Sequence, residues 1–149
     1  MPVLVVGMGA FFNVWNGFLN GAWLFFVGPH RNTDWLGGIP FWIGVFIFFT
    51  GMAINHHSDA VLRNLRSKGG GRYQIPYGGL YRWVSVPSYL GELLEWIGFA
   101  VLTLSPAAGL FAFFTAANLI PRALSTHKWY QGQFKMYPEK RRAIIPYIL

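Results

Sequence analysis

The chain has 149 residues, of which 54% are apolar, 19% aromatic and only 11% charged, whereas a soluble domain carries roughly 25% charged residues. Three stretches, 1–30, 35–58 and 96–121, contain no Asp, Glu, Lys or Arg. Each is longer than the roughly 20 residues that a helix needs to cross a bilayer core. The composition excludes a disordered chain, a coiled coil and an ordinary soluble domain. It predicts an all-α integral membrane protein, a multi-pass helical bundle.

Hydropathy along the chain predicts four transmembrane helices. Their approximate ranges are 4–27, 39–55, 84–104 and 107–120. Pro40 suits the start of the second helix, where a missing N–H costs little. Ser105 and Pro106 predict a tight reversal between the third and fourth helices.

The net charge of +7 follows the predicted topology. All basic residues except Arg31 lie in two segments, 56–83 and 122–149. This is the positive-inside pattern, so we expect both segments on the cytoplasmic side, in the inner membrane of a bacterium or the endoplasmic reticulum of a eukaryote. Because topology accounts for the basic residues, no nucleic-acid partner is expected. The first stretch has no basic n-region, which argues against a cleaved signal peptide.

The polar segments also have predicted structure. Apolar positions at helix spacing over 58–66 predict that the second helix continues into the cytoplasm, until the three glycines at 69–71 end it. The segment 122–149 alternates aromatic and basic residues. It predicts a continuation of the fourth helix, followed by an interfacial segment.

Two glutamates lie inside the third apolar stretch, where burying a charge is expensive. Ser88, Glu92 and Glu95 share one helix face. The alternatives are contact with a polar ligand and a structural hydrogen-bond network between helices. We favour ligand contact for Glu92 and the structural network for Glu95.

Two further stripes run along the second and fourth helices. The first could be an ordinary Asp–Arg helix pair, but beside Glu92 it predicts the entrance of a cavity. The second is aromatic at one end and cationic and phenolic at the other, which suits an apolar ligand next to a phosphorylated one. Its alternatives are helix or lipid packing for the phenylalanines and a membrane anchor for the arginine. The stripes comprise Asn55, Asp59, Arg63 and Arg66, and Phe111, Phe114 (or Thr115), Asn118, Arg122, Thr126 and Tyr130.

Several kinds of site are not predicted. The sequence has no soluble-type nucleotide loop and no cysteine. Four histidines are too few for a di-iron histidine box, and adjacent His56 and His57 point to different helix faces. No metal site is expected.

Three long runs carry a family resemblance: INHHSDAVLRNLR at 54–66, YQIPYGGLYRWVSVPSYLGELLEWIGFA at 73–100, and PRALSTHKWYQGQFKMYPEKRRAIIPYIL at 121–149. They resemble the C-terminal half of steroid 5α-reductases, a family that includes polyprenol and trans-2-enoyl-CoA reductases. The resemblance implies a seven-helix membrane enzyme of which residues 1–149 form the last four helices. The glutamate and tyrosine that polarise the substrate ketone would lie in the three preceding helices, so the chain would be a fragment with no predicted catalytic residue of its own.

The implied reaction is NADPH-dependent reduction of a double bond conjugated with a ketone, as in a 3-oxo-Δ4 steroid. Hydride would reach the β-carbon, hydrogen-bond donors would stabilise the enolate, and a proton would complete the α-carbon. The alternative substrates within the family are a polyprenol and an enoyl-CoA.

The resemblance also implies site residues, with the cofactor on the cytoplasmic side. Ser88 and Thr126 depart from the family pattern, which has Asn and His there. Phe111, Phe114 and Asn118 would border the steroid. The implied NADPH contacts are Asn55, Asp59, Arg66, Tyr73, Ser88, Glu92, Arg122 and Tyr130.

Two rival hypotheses come from other functional classes. The run 79–91 is similar to a motif of S-adenosylmethionine-dependent membrane methyltransferases, but Ser85 and Val86 replace the Arg–His pair of that motif. The other rival is a membrane scaffold without enzymatic activity.

Overall fold

The structure is a computed structural model that describes residues 3–30, 32–68 and 73–149. All named elements within these ranges are helices or helical turns and none is a strand, which confirms the all-α prediction. Helices α2 and α4 are long and apolar enough to cross a membrane, over Ile39–Ser67 and Pro106–Gln133. The four α-helices are α1 Val3–Ala22, α2 Ile39–Lys68, α3 Pro87–Thr103 and α4 Pro106–Gln133.

Most predicted helix ranges agree with the structure. A π-helical turn, Trp23–Val27, extends α1 to the predicted end of the first segment. Helix α2 runs on through 58–66 as the spacing predicts, while the glycines at 69–71 lie outside the described residues. Helix α4 likewise continues past 120, and it begins where the Ser105 hydroxyl accepts a hydrogen bond from the Ala108 N–H.

The predicted start of the third helix, at 84, is wrong by three residues. Val84 forms an isolated parallel bridge with Arg142. The N–H groups of Ser85 and Val86 donate to the carbonyls of Arg142 and Ala143, at 2.8 and 3.2 Å. These long-range backbone bonds replace helical ones, so α3 begins only at Pro87, whose ring suits the first helical position.

Four glycines form a seam between antiparallel α2 and α3, which we call the glycine seam: Gly44 and Gly51 on α2, Gly91 and Gly98 on α3. A Cβ at Gly51 would lie 2.5 Å from the Gly91 carbonyl oxygen, and one at Gly98 would lie 2.5 Å from the Phe48 nitrogen. The glycines of each helix are seven residues apart, about two turns, so they share one face. The two backbones are therefore in direct contact along the seam.

The C-terminal segment is partly buried against the helices, while Tyr147 and Ile148 are exposed, and its interfacial location stays a prediction. Ala143 and Ile144 are buried and form one core with Leu93, Leu119 and Ala123 of α3 and α4. The core therefore joins both helices to the chain's last ten residues.

Candidate functional site

The first polar contact of the site joins α2 to α3, about one helical turn beyond the glycine seam. The Asn55 side-chain amide donates to Glu95 Oε1 at 3.1 Å. This bond confirms the predicted structural role of Glu95. It uses one donor of Asn55, which the resemblance assigns to the cofactor, and leaves the Asn55 carbonyl oxygen as an acceptor.

Glu92 lies between α3 and α4, one turn before Glu95. Its side chain is half-buried, and the charges of Glu95 and Arg122 act on its carboxylate. Arg122 is exposed on α4, and Ser88 is half-buried one turn before Glu92. The structure thus brings together predicted residues from three different helices.

A second group surrounds Tyr81, which lies in the 3-10 turn Gly79–Arg82 and is only 1% exposed. Burial raises the pKa of the Tyr81 phenol, and nearby Tyr130 and Asp59 raise it further. The guanidinium groups of Arg141 and Arg66 oppose that rise. Tyr81 therefore keeps its hydroxyl proton at neutral pH and remains a hydrogen-bond donor beside predicted residues of α2 and α4.

An aromatic row connects the loop after α2 to α4. Tyr73 is 77% exposed, and its ring meets the Trp129 ring edge-on at 5.2 Å between centroids. Trp129 meets Tyr130 at 5.1 Å, and Tyr130 stacks on Tyr137 at 5.4 Å with an interplanar angle of 14°. The predicted residues Tyr73 and Tyr130 thus belong to one aromatic surface.

Arg141 is a candidate site residue that sequence analysis missed, as it also missed Tyr81, Ser85, His127 and Tyr137. Arg141 is 2% exposed, and its Nη2 donates to the Pro76 carbonyl at 3.0 Å. Its guanidinium lies 4.9 Å from the Tyr77 ring centre and 5.2 Å from that of Tyr137. Its Nε and Nη1 are buried without a hydrogen-bond partner among the residues that the structure describes. A buried cation with free donors is suited to binding an anion.

Ser85 is the centre of a buried network that holds the C-terminal segment. Its hydroxyl donates to the Arg142 carbonyl at 3.1 Å and lies 2.6 Å from the Tyr137 hydroxyl and 2.5 Å from His127 Nδ1. His127 Nε2 accepts from the Gln131 amide, 2.9 Å away, so Nδ1 carries the ring proton. In this arrangement Tyr137 and His127 both donate to Ser85, and every group is satisfied.

Tyr130 of the Tyr81 group stacks on Tyr137 of the Ser85 network, and the guanidinium of Arg141 lies near both Tyr81 and the Tyr137 ring. We call the two groups together the polar cluster: Tyr81, Ser85, His127, Tyr130, Tyr137 and Arg141.

The residues predicted to border the steroid lie where α1, α3 and α4 meet. The Phe12 ring of α1 is 5.3 Å from that of Phe111 and 5.0 Å from that of Phe114. Trp96 of α3 is 4.1 Å from Phe111. The Asn118 amide donates to the Phe114 carbonyl within α4, at 2.8 Å. These contacts place Phe111 and Phe114 at an aromatic surface between helices, whereas Asn118 is exposed and bonds only within α4.

Comparison with known proteins identifies the family of this chain. A family model described as 3-oxo-5-alpha-steroid 4-dehydrogenase matches residues 1–149. The chain belongs to this family. Among curated relatives, it is 42% identical over 148 residues to the steroid 5-alpha-reductase DET2 of Solanum lycopersicum, and 43% identical over 147 residues to the human 3-oxo-5-alpha-steroid 4-dehydrogenase 2.

The two alignments cover 99% of this chain but only 57% and 58% of those relatives. The chain thus spans less than three-fifths of the length of the steroid reductases it matches.

Proposed function

We propose that this chain forms the cofactor-binding part of a membrane reductase that uses NADPH to reduce the conjugated carbon–carbon double bond of a 3-oxo-Δ4 steroid. The observation that carries the proposal is the convergence of polar residues from α2 and α4 near buried Arg141, with Glu92 of α3 beside Arg122 of α4, in a chain of the steroid reductase family. The Nε and Nη1 of Arg141 have no hydrogen-bond partner within the described ranges. A dinucleotide with several anionic oxygens matches that donor set.

The arginines of the site suit the phosphates of such a cofactor. Arg66, at the end of the first stripe, and Arg122, within the second, are exposed and offer forked donors. The unpartnered Nε and Nη1 of Arg141 are a third source of donors. Asn55 and Glu92 would hydrogen-bond the carboxamide, ribose hydroxyls or adenine, while Asp59, Tyr73, Ser88 and Tyr130 complete the contact set.

The reaction requires a hydride, a proton and stabilisation of an enolate. When bound, NADPH would supply the hydride that the β-carbon requires. The α-carbon then receives a proton, so the double bond becomes a single bond and the ketone is retained. Phe111, Phe114 and Asn118 would border the steroid. The donors to the ketone oxygen are expected from additional N-terminal helices of the family.

In this proposal all four helices cross the membrane. Helices α2 and α4 satisfy the length and hydropathy that a span requires. The basic segments 56–83 and 122–149 would face the cytoplasm, where NADPH is available.

Binding of NADPH by the chain in detergent micelles tests the cofactor assignment. Bound NADPH should quench the fluorescence of the seven tryptophans by energy transfer to the nicotinamide. The quenching should saturate with NADPH concentration, and NADP⁺ should reverse it. NADH and S-adenosylmethionine should compete poorly. A helical, monodisperse preparation that binds no NADPH would contradict the proposal.

Turnover tests the substrate class. With the chain placed behind the unmatched N-terminal part of the tomato relative, testosterone and NADPH should give the 5-reduced ketone. Conversion of polyprenol or an enoyl-CoA, but not of the steroid, would support reductase activity and overturn the assignment of a steroid substrate.

A further inference from the structure

We propose that the face of α2 turned away from the cofactor site binds one anionic glycerophospholipid, with an acyl chain along the helix and the phosphate at Arg82. The proposal rests on the membrane placement proposed above, but not on reductase activity.

Two adjoining hollows form one groove on this face. The first has a volume of about 590 Å³ and is lined by apolar side chains such as Trp42, Phe46 and Phe49. The second has a volume of about 540 Å³ and extends to Arg82 in the turn before α3. Ala53 and Ile54 line both hollows, so the hollows adjoin at these two residues.

The groove does not overlap the predicted cofactor stripe. His57 lines the groove, whereas Asn55 points to Glu95. Positions that are two residues apart along an α-helix are separated by more than half a turn around the helix axis. The residues at 46, 49, 50, 53 and 57 therefore lie on the side of α2 opposite to Asn55, Asp59 and Arg66.

The length of the groove matches one leaflet. From Trp42 to Ala53 the helix rises by about 16 Å at 1.5 Å per residue. Half of a hydrocarbon core roughly 30 Å thick is about 15 Å. An acyl chain lying in the first hollow would thus place its headgroup at the second.

The second hollow has the chemistry of a headgroup site. Arg82 is exposed, its guanidinium lies 5.5 Å from the Trp83 ring centre, and no ion pair engages it within the described ranges. Gly79 has φ +50° and packs against the His57 ring, which a Cβ at this position would displace. A cation, an imidazole and an interfacial tryptophan at a helix end favour an anionic lipid phosphate.

Native mass spectrometry of the chain tests the site. The chain is released from detergent after incubation with equal amounts of phosphatidylglycerol and phosphatidylcholine that carry identical acyl chains. We expect one tightly retained phosphatidylglycerol per chain and at least fivefold preference over phosphatidylcholine. Equal retention of both lipids would overturn the proposal, as would displacement of the lipid by low-millimolar inorganic phosphate, because a site for free anions needs no acyl groove.

Three variants locate the binding. Arg82→Gln should reduce phosphatidylglycerol retention about fivefold, while the matched change Arg63→Gln, at an exposed arginine of α2 outside the groove, should leave it unchanged. Ala53→Trp should fill the junction of the hollows and abolish retention. An equal effect of the two arginine changes, or no effect of Ala53→Trp, contradicts the site.

NADPH affinity separates this inference from the proposed function. Arg82→Gln should leave the dissociation constant for NADPH within twofold of the unmodified chain. Loss of lipid preference with unchanged NADPH binding supports two separate sites. Parallel loss of both would mean that Arg82 belongs to the cofactor site, and the lipid assignment would be overturned.

Discussion

The glycine seam and the polar cluster hold the chain together by opposite means. At the seam, backbone meets backbone and no side chain intervenes between Gly51 and Gly91. At the polar cluster, the buried hydroxyls of Ser85 and Tyr137, the half-buried His127 imidazole and the buried Arg141 guanidinium contact partners more than 40 residues away. The seam stabilises through close packing, whereas the cluster keeps polar groups away from water and leaves some donors of Arg141 unused.

This difference separates stability from binding. Close-packed glycines have no functional groups that could recognise a ligand, so changes there should alter folding alone. Unused buried donors lower stability, and proteins tolerate such a cost at functional sites. Each variant below therefore carries two measurements: unfolding of the ligand-free chain and NADPH affinity.

The largest expected loss of stability comes from a substitution in the glycine seam. Gly91→Leu would place a side chain against the Gly51 carbonyl, where even a Cβ would be 2.7 Å away. Because backbone atoms cannot move aside cheaply, we expect a loss of at least about 3 kcal/mol in unfolding free energy, or no folded protein. Thermal unfolding in detergent measures it.

Gly109→Leu is the control for this change, since a Cβ at Gly109 meets nothing within 4 Å. It should unfold within a few degrees of the unmodified chain. Equal destabilisation by the two leucines would show that the seam is not the close contact described.

The second-largest expected loss of stability comes from a substitution at Ser85. Ser85→Ala would leave the Tyr137 hydroxyl and His127 Nδ1–H without their acceptor, so we expect a loss of about 2 kcal/mol. Hydrogen exchange should also accelerate over 134–149. Ser125→Ala, which removes only a local bond to the Pro121 carbonyl, is the control. If exchange in this segment is unchanged by Ser85→Ala, the network does not anchor it.

A change at Arg141 should lower NADPH affinity more than it lowers the stability of the ligand-free chain. Arg141→Met keeps an apolar stem and removes a buried charge, so ligand-free stability should change by less than about 1.5 kcal/mol. NADPH affinity should fall about tenfold, or about 1.4 kcal/mol. Arg142→Met, at the exposed neighbour, should alter neither quantity. Unchanged NADPH affinity in Arg141→Met would exclude Arg141 from the cofactor site.

The sequence predicts regular elements and helix faces better than it predicts the site. Period-3.6 spacing is local, so it correctly extends α2 through 58–66 and places Glu92 and Glu95 on one face. The sequence also predicts a structural role for Glu95, because buried polar groups need partners, but it does not identify Asn55 as that partner.

The missed features depend on contacts between distant segments. Arg141 and Arg142 are adjacent basic residues, and only the fold buries one and exposes the other. The bridge between Val84 and Arg142 delays the start of α3 for the same reason. The sequence pattern that could have predicted the glycine seam is the seven-residue spacing within each pair, Gly44 with Gly51 and Gly91 with Gly98.

The smallest effects distinguish the two glutamates. Glu95→Gln should cost about 1 kcal/mol in stability, because the Asn55 amide loses a charged acceptor, and should leave NADPH affinity within twofold. Glu92→Gln should do the opposite, with a modest loss of NADPH affinity at nearly unchanged stability. If both changes act only on stability, Glu92 is structural and the scaffold hypothesis gains support.

The most direct test of the cofactor site compares two arginines on α2. Arg66 and Arg63 are both exposed and are separated by three residues, but only the charge of Arg66 acts on Tyr81 and Tyr130 of the polar cluster. Titration with NADPH should show about fivefold weaker binding for Arg66→Gln and binding within twofold of the unmodified chain for Arg63→Gln. Equal dissociation constants for the two variants would contradict the placement of the dinucleotide at the polar cluster.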